Sequence, residues 1–197
     1  MSDFRQRLLD GLEASIAEQG YAKTTVAEIV RRARTSRRTF YEHFTSRDEC
    51  FVALLTEANA DQIQQIRAAV DPAAPWQKQV RQAIEAWIAS AEARSALMLS
   101  WIRDVPALGS AARGLQRDAL DHFIDMVDAL SDSAEFRSAG IGPVPRRRIV
   151  MLLGGLRELT AITVEEGGRL SDVTDEAVEA SIALVGFRDQ RDALACS

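Results

Sequence analysis

Three helix starts crowd into the stretch from Gly20 to Phe51, and they fix what can be built there. Thr25-x-x-Glu28 is a capping box. The Thr25 hydroxyl can accept from the backbone N–H of Glu28 while the Glu28 carboxylate reaches back. Val26, Ile29, Val30 and Ala33 then fall on one face at helical spacing. The pattern breaks at Arg34-Thr35. Ser36 is placed to cap a second short helix, in which Phe40 and Phe44 stand one turn apart on the buried side. Arg37, Arg38, Tyr41 and His43 are left for the outer side. Ser46-x-x-Glu49 is a second capping box and opens a third helix. A helix, a tight turn and a second helix with one apolar face and one basic, hydrogen-bonding face form the pattern of a helix-turn-helix reader of the DNA major groove.

The charge distribution agrees once it is divided. The 197 residues carry a net charge of −5, an unpromising sign for a nucleic-acid binder. Residues 1–56 hold nine Lys/Arg against eight Asp/Glu, and residues 57–197 hold fifteen against twenty-one. Between residues 31 and 47 there are six arginines and one acid, Glu42. Phosphate neutralisation needs such a local patch, not a basic protein. Arginine also suits base reading, because its planar fork matches guanine O6 and N7. Glu42 could accept from cytosine N4, but it reads more simply as a solvated carboxylate.

These residues resemble the DNA-binding segment of the tetracycline-repressor (TetR) family of bacterial transcription regulators. The likeness runs through Gly20, Thr24-Thr25, Ile29, Ala33, Ser36, Thr39-Phe40-Tyr41, His43-Phe44 and Arg47. It implies an all-α fold with an N-terminal three-helix helix-turn-helix domain (residues 1–48) and a larger C-terminal helical domain (residues 49–197) for effector binding and dimerisation. It further implies that Arg37 and Arg38 contact bases or neighbouring phosphates, with Ser36 and Thr39 beside them. Tyr41 and His43 would hold phosphates, and Thr24 or Thr25 together with Arg47 would clamp the DNA backbone at helix starts. Two residues depart from the family's usual pattern, Arg34 in the turn and Arg38, both where glycine is frequent. Arg34 is therefore expected in a backbone conformation that suits glycine better.

The rest of the chain reads as helices throughout. Phe4, Leu8, Leu9, Leu12 and Ile16 give a first helix, capped by Ser2 or Asp3 and ended by Gly20. The helix after Ser46 is long and passes from the reader into the body, as a lever would. Pro75 opens the next, with Val80, Ile84, Trp87, Ile88 and Ala91 inward. A short helix holds Leu97, Met98, Trp101 and Ile102, and another runs from about Ser110 to Leu130. Residues 132–144, with Gly140, Gly142 and Pro143, read as a loop. The last two helices, about 146–165 and 172–188, are apolar on more than one face, and Phe187 belongs to the second. One face would seal the core and the other would meet a second subunit, giving the homodimer that a two-fold operator requires.

The body is rich in large, soft side chains. Trp87, Met98, Trp101, Phe123 and Met126 are the expected lining of a pocket for a small hydrophobic effector, with Ser90, Asp104, His122 and Glu158 as polar anchors. No cofactor is implied. Asp118, Asp121, His122 and Asp125 have helical spacing that invites a metal reading, but solvated carboxylates explain them better. Cys50 and Cys196 have no metal-type spacing, no secretory leader is legible among Asp3, Arg5, Arg7 and Asp10, and the longest apolar run, Ile149–Leu156, is far short of a membrane span. A cytoplasmic homodimeric repressor, released from double-stranded DNA by a small molecule, is the leading expectation. The alternative is a helical enzyme or metal-responsive protein that uses the acidic body.

Overall fold

A computed structural model describes residues 3–186, and every regular element among them is helical. Ser2, Phe187, Arg188 and Cys196 lie outside the described residues. The N-terminal part comprises α1 (Asp3–Gln19), α2 (Val26–Arg32) and α3 (Arg37–His43), and α4 (Arg47–Ala69) leads into the body. The body adds α5 (Trp76–Ala93), α6 (Ser95–Arg103), α7 (Ser110–Ser131), α8 (Ala134–Ser138), α9 (Arg146–Glu165) and α10 (Thr174–Val185). The all-α fold with a helix-turn-helix reader and a larger helical body is the one the periodicity predicts.

The three starts are built by the capping side chains. Thr25, Ser36 and Ser46 accept from the backbone N–H groups of Glu28, Thr39 and Glu49 at 3.2, 3.1 and 3.1 Å. The carboxylates depart from the expected boxes. Glu28 turns away from its own helix start to Arg31 and Arg32, which lie one turn on and offer stronger, charge-assisted hydrogen bonds. Glu49 reaches past the cap residue to the backbone N–H of Thr45, at 2.6 Å.

Leu8, Leu9 and Leu12 of α1 are fully buried against Ile29, Phe40 and Phe51. Burial of one such side chain stabilises the fold by about 1.5–3 kcal/mol. Gly11 lets α1 and α2 touch: a Cβ there would lie 2.9 Å from the Ile29 carbonyl oxygen. The reader's core does not stop at residue 48. It takes in Cys50, Phe51, Leu54 and Leu55 of α4, and Leu97, Val105, Ala112 and Leu115 from the body. Cys50 is sealed there, and burial pushes its thiol up to about 12.

A second core fills the body between α4, α5, α7, α9 and α10, around Ile66, Trp87, Ile88, Ile149 and Val178. Residues 132–144, expected as a loop, contain α8. Ser133 caps it, and Phe136 is buried against Trp76 with ring centroids 5.8 Å apart. One turn of helix is too short to show a period; a single buried aromatic holds it in place. The last helix begins with a 3-10 turn at Leu170–Val173 that buries Leu170.

The α1–α2 contact gives the first prediction. Gly11→Ala forces the added methyl onto backbone, so the two helices must part. We expect a loss of stability of about 1–3 kcal/mol, the usual range for overpacking, measured by denaturant unfolding. Unchanged stability would refute the close approach.

Candidate functional site

Two regions of the molecule gather side chains that packing does not require: the outer face of α3 and a cavity in the body.

On α3 the buried side is Phe40, continued by Phe44 just after the helix. The opposite side presents Arg37, Arg38 and Tyr41, with Tyr41 59% exposed. Its ring meets buried Phe40 edge-on, with centroids 5.3 Å apart, and is otherwise open to solvent. Among the described residues Arg37 has no ion pair. Arg38 meets only Glu42, one turn on, at 3.2 Å. Thr25 and Ser36 are exposed at the starts of α2 and α3, while Thr39 and His43 are half-buried. Ser36 and Thr39 also join hydroxyl to hydroxyl at 3.0 Å. This face has forked cations, a phenol and hydroxyls on one short helix, the donor set that phosphate oxygens and guanine edges accept from.

Other residues expected on this face serve the frame. Thr24 is fully buried, and its hydroxyl bonds Ser15 and the Gly20 carbonyl at 3.0 Å each. Arg47 is folded back. Its guanidinium donates to the Thr24 carbonyl at 2.9 Å and stacks over Tyr21, 4.2 Å from the ring centroid. Tyr21 itself lies parallel to Phe51 at 3.9 Å and donates to Asp48. Burial, then that hydrogen bond, raises its phenol far above the ordinary tyrosine range. Arg47 thus ties α4 to the segment before α2. Arg31 and Arg32 are paired with Glu28, and Arg32 also with Glu18, so the local excess of charge is smaller than the count between residues 31 and 47 suggests.

Arg34 sits in the turn between α2 and α3 at φ 50°, the left-handed region that favours glycine. Arg7 of α1 braces the turn by donating to the carbonyls of Ala33 and Arg34. No such brace is legible in the sequence, because it joins residues 26 and 27 positions apart.

The cavity occupies about 400 Å³ and is walled by α4, α5, α6, α7 and α9. Trp87, Met98, Trp101 and Phe123 line it, as does Ser90. Met126 instead lines a smaller adjoining cavity of about 80 Å³, which shares Trp87, Phe123 and Leu153 with the larger one. Glu158 is not in the wall. It lies exposed on α9, where both carboxylate oxygens accept from Arg103 at 3.0 and 3.1 Å. Asp104 and His122 are outside the wall as well, and His122 faces solvent. Among the wall residues that the periodicity missed are two charged ones, Arg94 and Arg157, and the α4 amides Asn59 and Gln62. Arg94 forms a bidentate pair with Glu13 of α1, at 2.6 and 2.8 Å, and so joins the cavity wall to the reader.

Among the described residues no three His, Cys, Asp or Glu side chains stand together as a metal would need. Asp121 donates no ligand to such a group; it accepts from Arg146 at 2.7 Å. No described helix is long and apolar enough to cross a membrane.

Residues 8–54 match the family model of bacterial regulatory proteins, tetR family. No curated protein matches the chain. Among solved structures, the fatty acid degradation regulator FadR from Bacillus halodurans is similar at a TM-score of 0.79 and 17% identity, over 95% of this chain and 98% of that one. FadR from Bacillus subtilis, solved in complex with stearoyl-CoA, gives 0.76 and 16% over 93% and 99%. A transcriptional regulator from Rhodococcus sp. RHA1 gives 0.72 and 20% over 92% and 95%. At these identities the likeness is one of fold, and it spans reader and body together.

The turn supplies a second prediction. Left-handed backbone costs a residue with a Cβ about 1–2 kcal/mol, a cost that glycine avoids. Arg34→Gly should therefore raise the thermal midpoint, while Arg34→Ala should not. A lower midpoint for the glycine variant than for the alanine variant would contradict the strain at this residue.

Proposed function

We propose, from a chain whose residues 8–54 are a tetR-family segment, that it is a homodimeric, sequence-specific DNA-binding transcription regulator. It acts as a repressor that leaves a pseudo-palindromic operator when a small hydrophobic effector fills the body cavity. The observation that carries this reading is the outer face of α3, where Arg37, Arg38 and Tyr41 stand exposed opposite buried Phe40. Entering the major groove, Arg37 and Arg38 read bases, and Tyr41, Thr25, Ser36, Thr39 and His43 hold flanking phosphates. Thr24 and Arg47 contribute by fixing the start of α2 against α4.

A second copy has a surface to meet. Val150, Met151, Gly154, Gly155 and Ile162 are exposed on α9, with Met151 63% exposed, and Ala180 and Ala183 are exposed on α10. Open space above Gly154 and Gly155 would let a partner helix approach closely. Two helices from each copy would pack as four and set the separation of the two readers.

The cavity lies between these parts. Leu55, Asn59 and Gln62 in its wall belong to α4, and Val150, Gly154 and Arg157 belong to α9. An occupant pressing on α4, or drawing Arg94 from Glu13, changes how α1 to α3 sit relative to the dimer helices. Release then follows from a ligand that fits the cavity better in one arrangement than the other.

Two predictions follow from this reading. Duplexes selected from a random pool should bind steeply less well as salt rises. On the selected site Arg37→Ala should cost about 1–3 kcal/mol and relax the preference at particular base pairs. Tyr41→Ala should weaken all sequences alike. Salt-independent binding, or variants indistinguishable from wild type, would remove the reader from DNA. Separately, Met151→Glu should turn a dimer into monomers by sedimentation and abolish binding to the two-fold site with the fold intact by circular dichroism. A dimer that survives this substitution would place the interface elsewhere.

A further inference from the structure

One cation in the wall of the large cavity has no counter-ion among the described residues. Among the described residues its wall contains two arginines and no carboxylate. Arg94 is already matched by the two oxygens of Glu13. Arg157 is half-buried on α9 and, among the described residues, has neither an ion pair nor a hydrogen-bond partner. Its sequence neighbour Glu158 is held by Arg103, which also binds Glu165 at 2.7 Å. Burial lowers the Arg157 pKa from the ordinary arginine value, with the charge of Glu158 partly opposing this. The guanidinium nevertheless stays protonated at neutral pH. A partly desolvated cation without a partner is costly, and an anion beside it recovers that cost.

A second, independent observation concerns Gln62 in the same wall. It is 6% exposed, and its Nε2 is buried with no acceptor. A buried amide nitrogen without an acceptor costs about 1–3 kcal/mol. Half a turn of the amide exchanges its nitrogen and oxygen, so Gln62 can offer a donor to an occupant. Asn59, 7% exposed, stands one turn earlier in the same wall. Apart from these groups, Ser90 and Gln116, the wall is apolar and includes Trp87, Met98, Trp101, Leu120 and Phe123. Beyond Trp87 and Phe123 the adjoining cavity continues with Ile84, Met126 and Leu152. Among its polar side chains, Ser131 and Ser181 donate to the Val127 and Ala177 carbonyls, and the Gln79 amide nitrogen donates to Pro72 and Ala74 while its Oε1 lacks a donor.

We propose that the cavity takes an amphipathic organic acid, its carboxylate on Arg157 and the Gln62 amide and its apolar body against Trp87 and Phe123. The inference rests on the effector reading above and narrows the effector to a class. The net charge of the whole chain, −5, disfavours anions at long range, so the local cation selects for an acid that also brings apolar surface. Linear alkyl acids would extend toward Met126, whereas compact aryl acids would stay beside Trp101, and both present the same head.

The test uses the full-length protein, dodecanoate, dodecanol and indole-3-acetate, with binding followed by calorimetry and by the fluorescence of Trp87 and Trp101. At least one of the two acids should bind tenfold or more tightly than dodecanol. Arg157→Gln should remove that advantage while leaving dodecanol unchanged. Gln116→Glu, a half-buried wall position, should likewise weaken only the acids and serves if the first variant does not fold. Dodecanol binding as tightly as the acids, loss of all three ligands together, or no binding by either acid would overturn the proposal. Operator release, scored in parallel, separates the two readings. Acids that bind through Arg157 without releasing DNA leave the site standing and remove the effector role. Release by dodecanol to the same extent does the reverse.

Discussion

The packing of the reader onto the body is the constraint on which the rest of the molecule depends. Leu97, Val105, Ala112 and Leu115, all from the body, are buried in the same core as Leu8, Leu12, Phe40 and Phe51. A three-helix unit of this size has little interior of its own, and small units bury too small a fraction of their surface to be robust. Borrowing apolar cover from α6 and α7 supplies the deficit. The consequence is mechanical as well as energetic. Interiors packed at this density transmit displacement instead of absorbing it, so a shift of α6 cannot be taken up without moving α1 or α4. The bidentate pair between Arg94 and Glu13 spans the same junction with a directional bond.

Seen from that junction, the polar residues around α2 and α3 divide by task. Thr24, Arg47, Tyr21 and Asp48 hold the reader's shape by bonds that point inward, and Arg7 braces the strained turn at Arg34. Arg37, Arg38 and Tyr41 are exposed, and beyond the Arg38–Glu42 pair within α3 none of them is tied to another element among the described residues. Residue type alone does not make this division. Arginine and threonine serve both purposes, and which one applies depends on whether a carbonyl or an aromatic face lies within reach.

The same distinction explains what the sequence let through. Helices came from period: the stripes of α1, α4, α5 and α7 are long enough for the spacing to speak, and capping residues marked the starts of α2, α3 and α4. The strained Arg34 was legible because a turn that wants glycine had none. α8 was not legible, being one turn fixed by a single distant aromatic contact, Phe136 on Trp76. The inward turn of Thr24 and Arg47 and the capture of Glu158 by Arg103 depend on partners 9, 23 and 55 residues away. The pocket was half legible: Trp87, Met98, Trp101 and Phe123 gathered as a set, while Met126 fell into the adjoining cavity. Arg157 was hidden by its setting, since it follows the apolar run Ile149–Leu156 and stands next to Glu158, where it reads as one of two solvated charges. The available signal was its place one turn after Leu153, on a helix apolar on more than one face, where a charge must either reach solvent or face something that needs it.

Those observations bear on why the cavity sits where it does. A ligand can shift an equilibrium only by the difference in its affinity for the two states. A purely apolar occupant of a soft, Trp- and Met-lined space would find similar contacts after small rearrangements, and would discriminate weakly. A carboxylate held, as proposed, between Arg157 on α9 and the Gln62 amide on α4 would have fixed points on both helices. Its binding energy then depends on the distance between α4 and α9. That distance also relates the reader to the exposed face of α9 around Met151 and Gly155. In the proposed dimer, an acid held at both helices would therefore do more to the spacing of two readers than a purely apolar occupant.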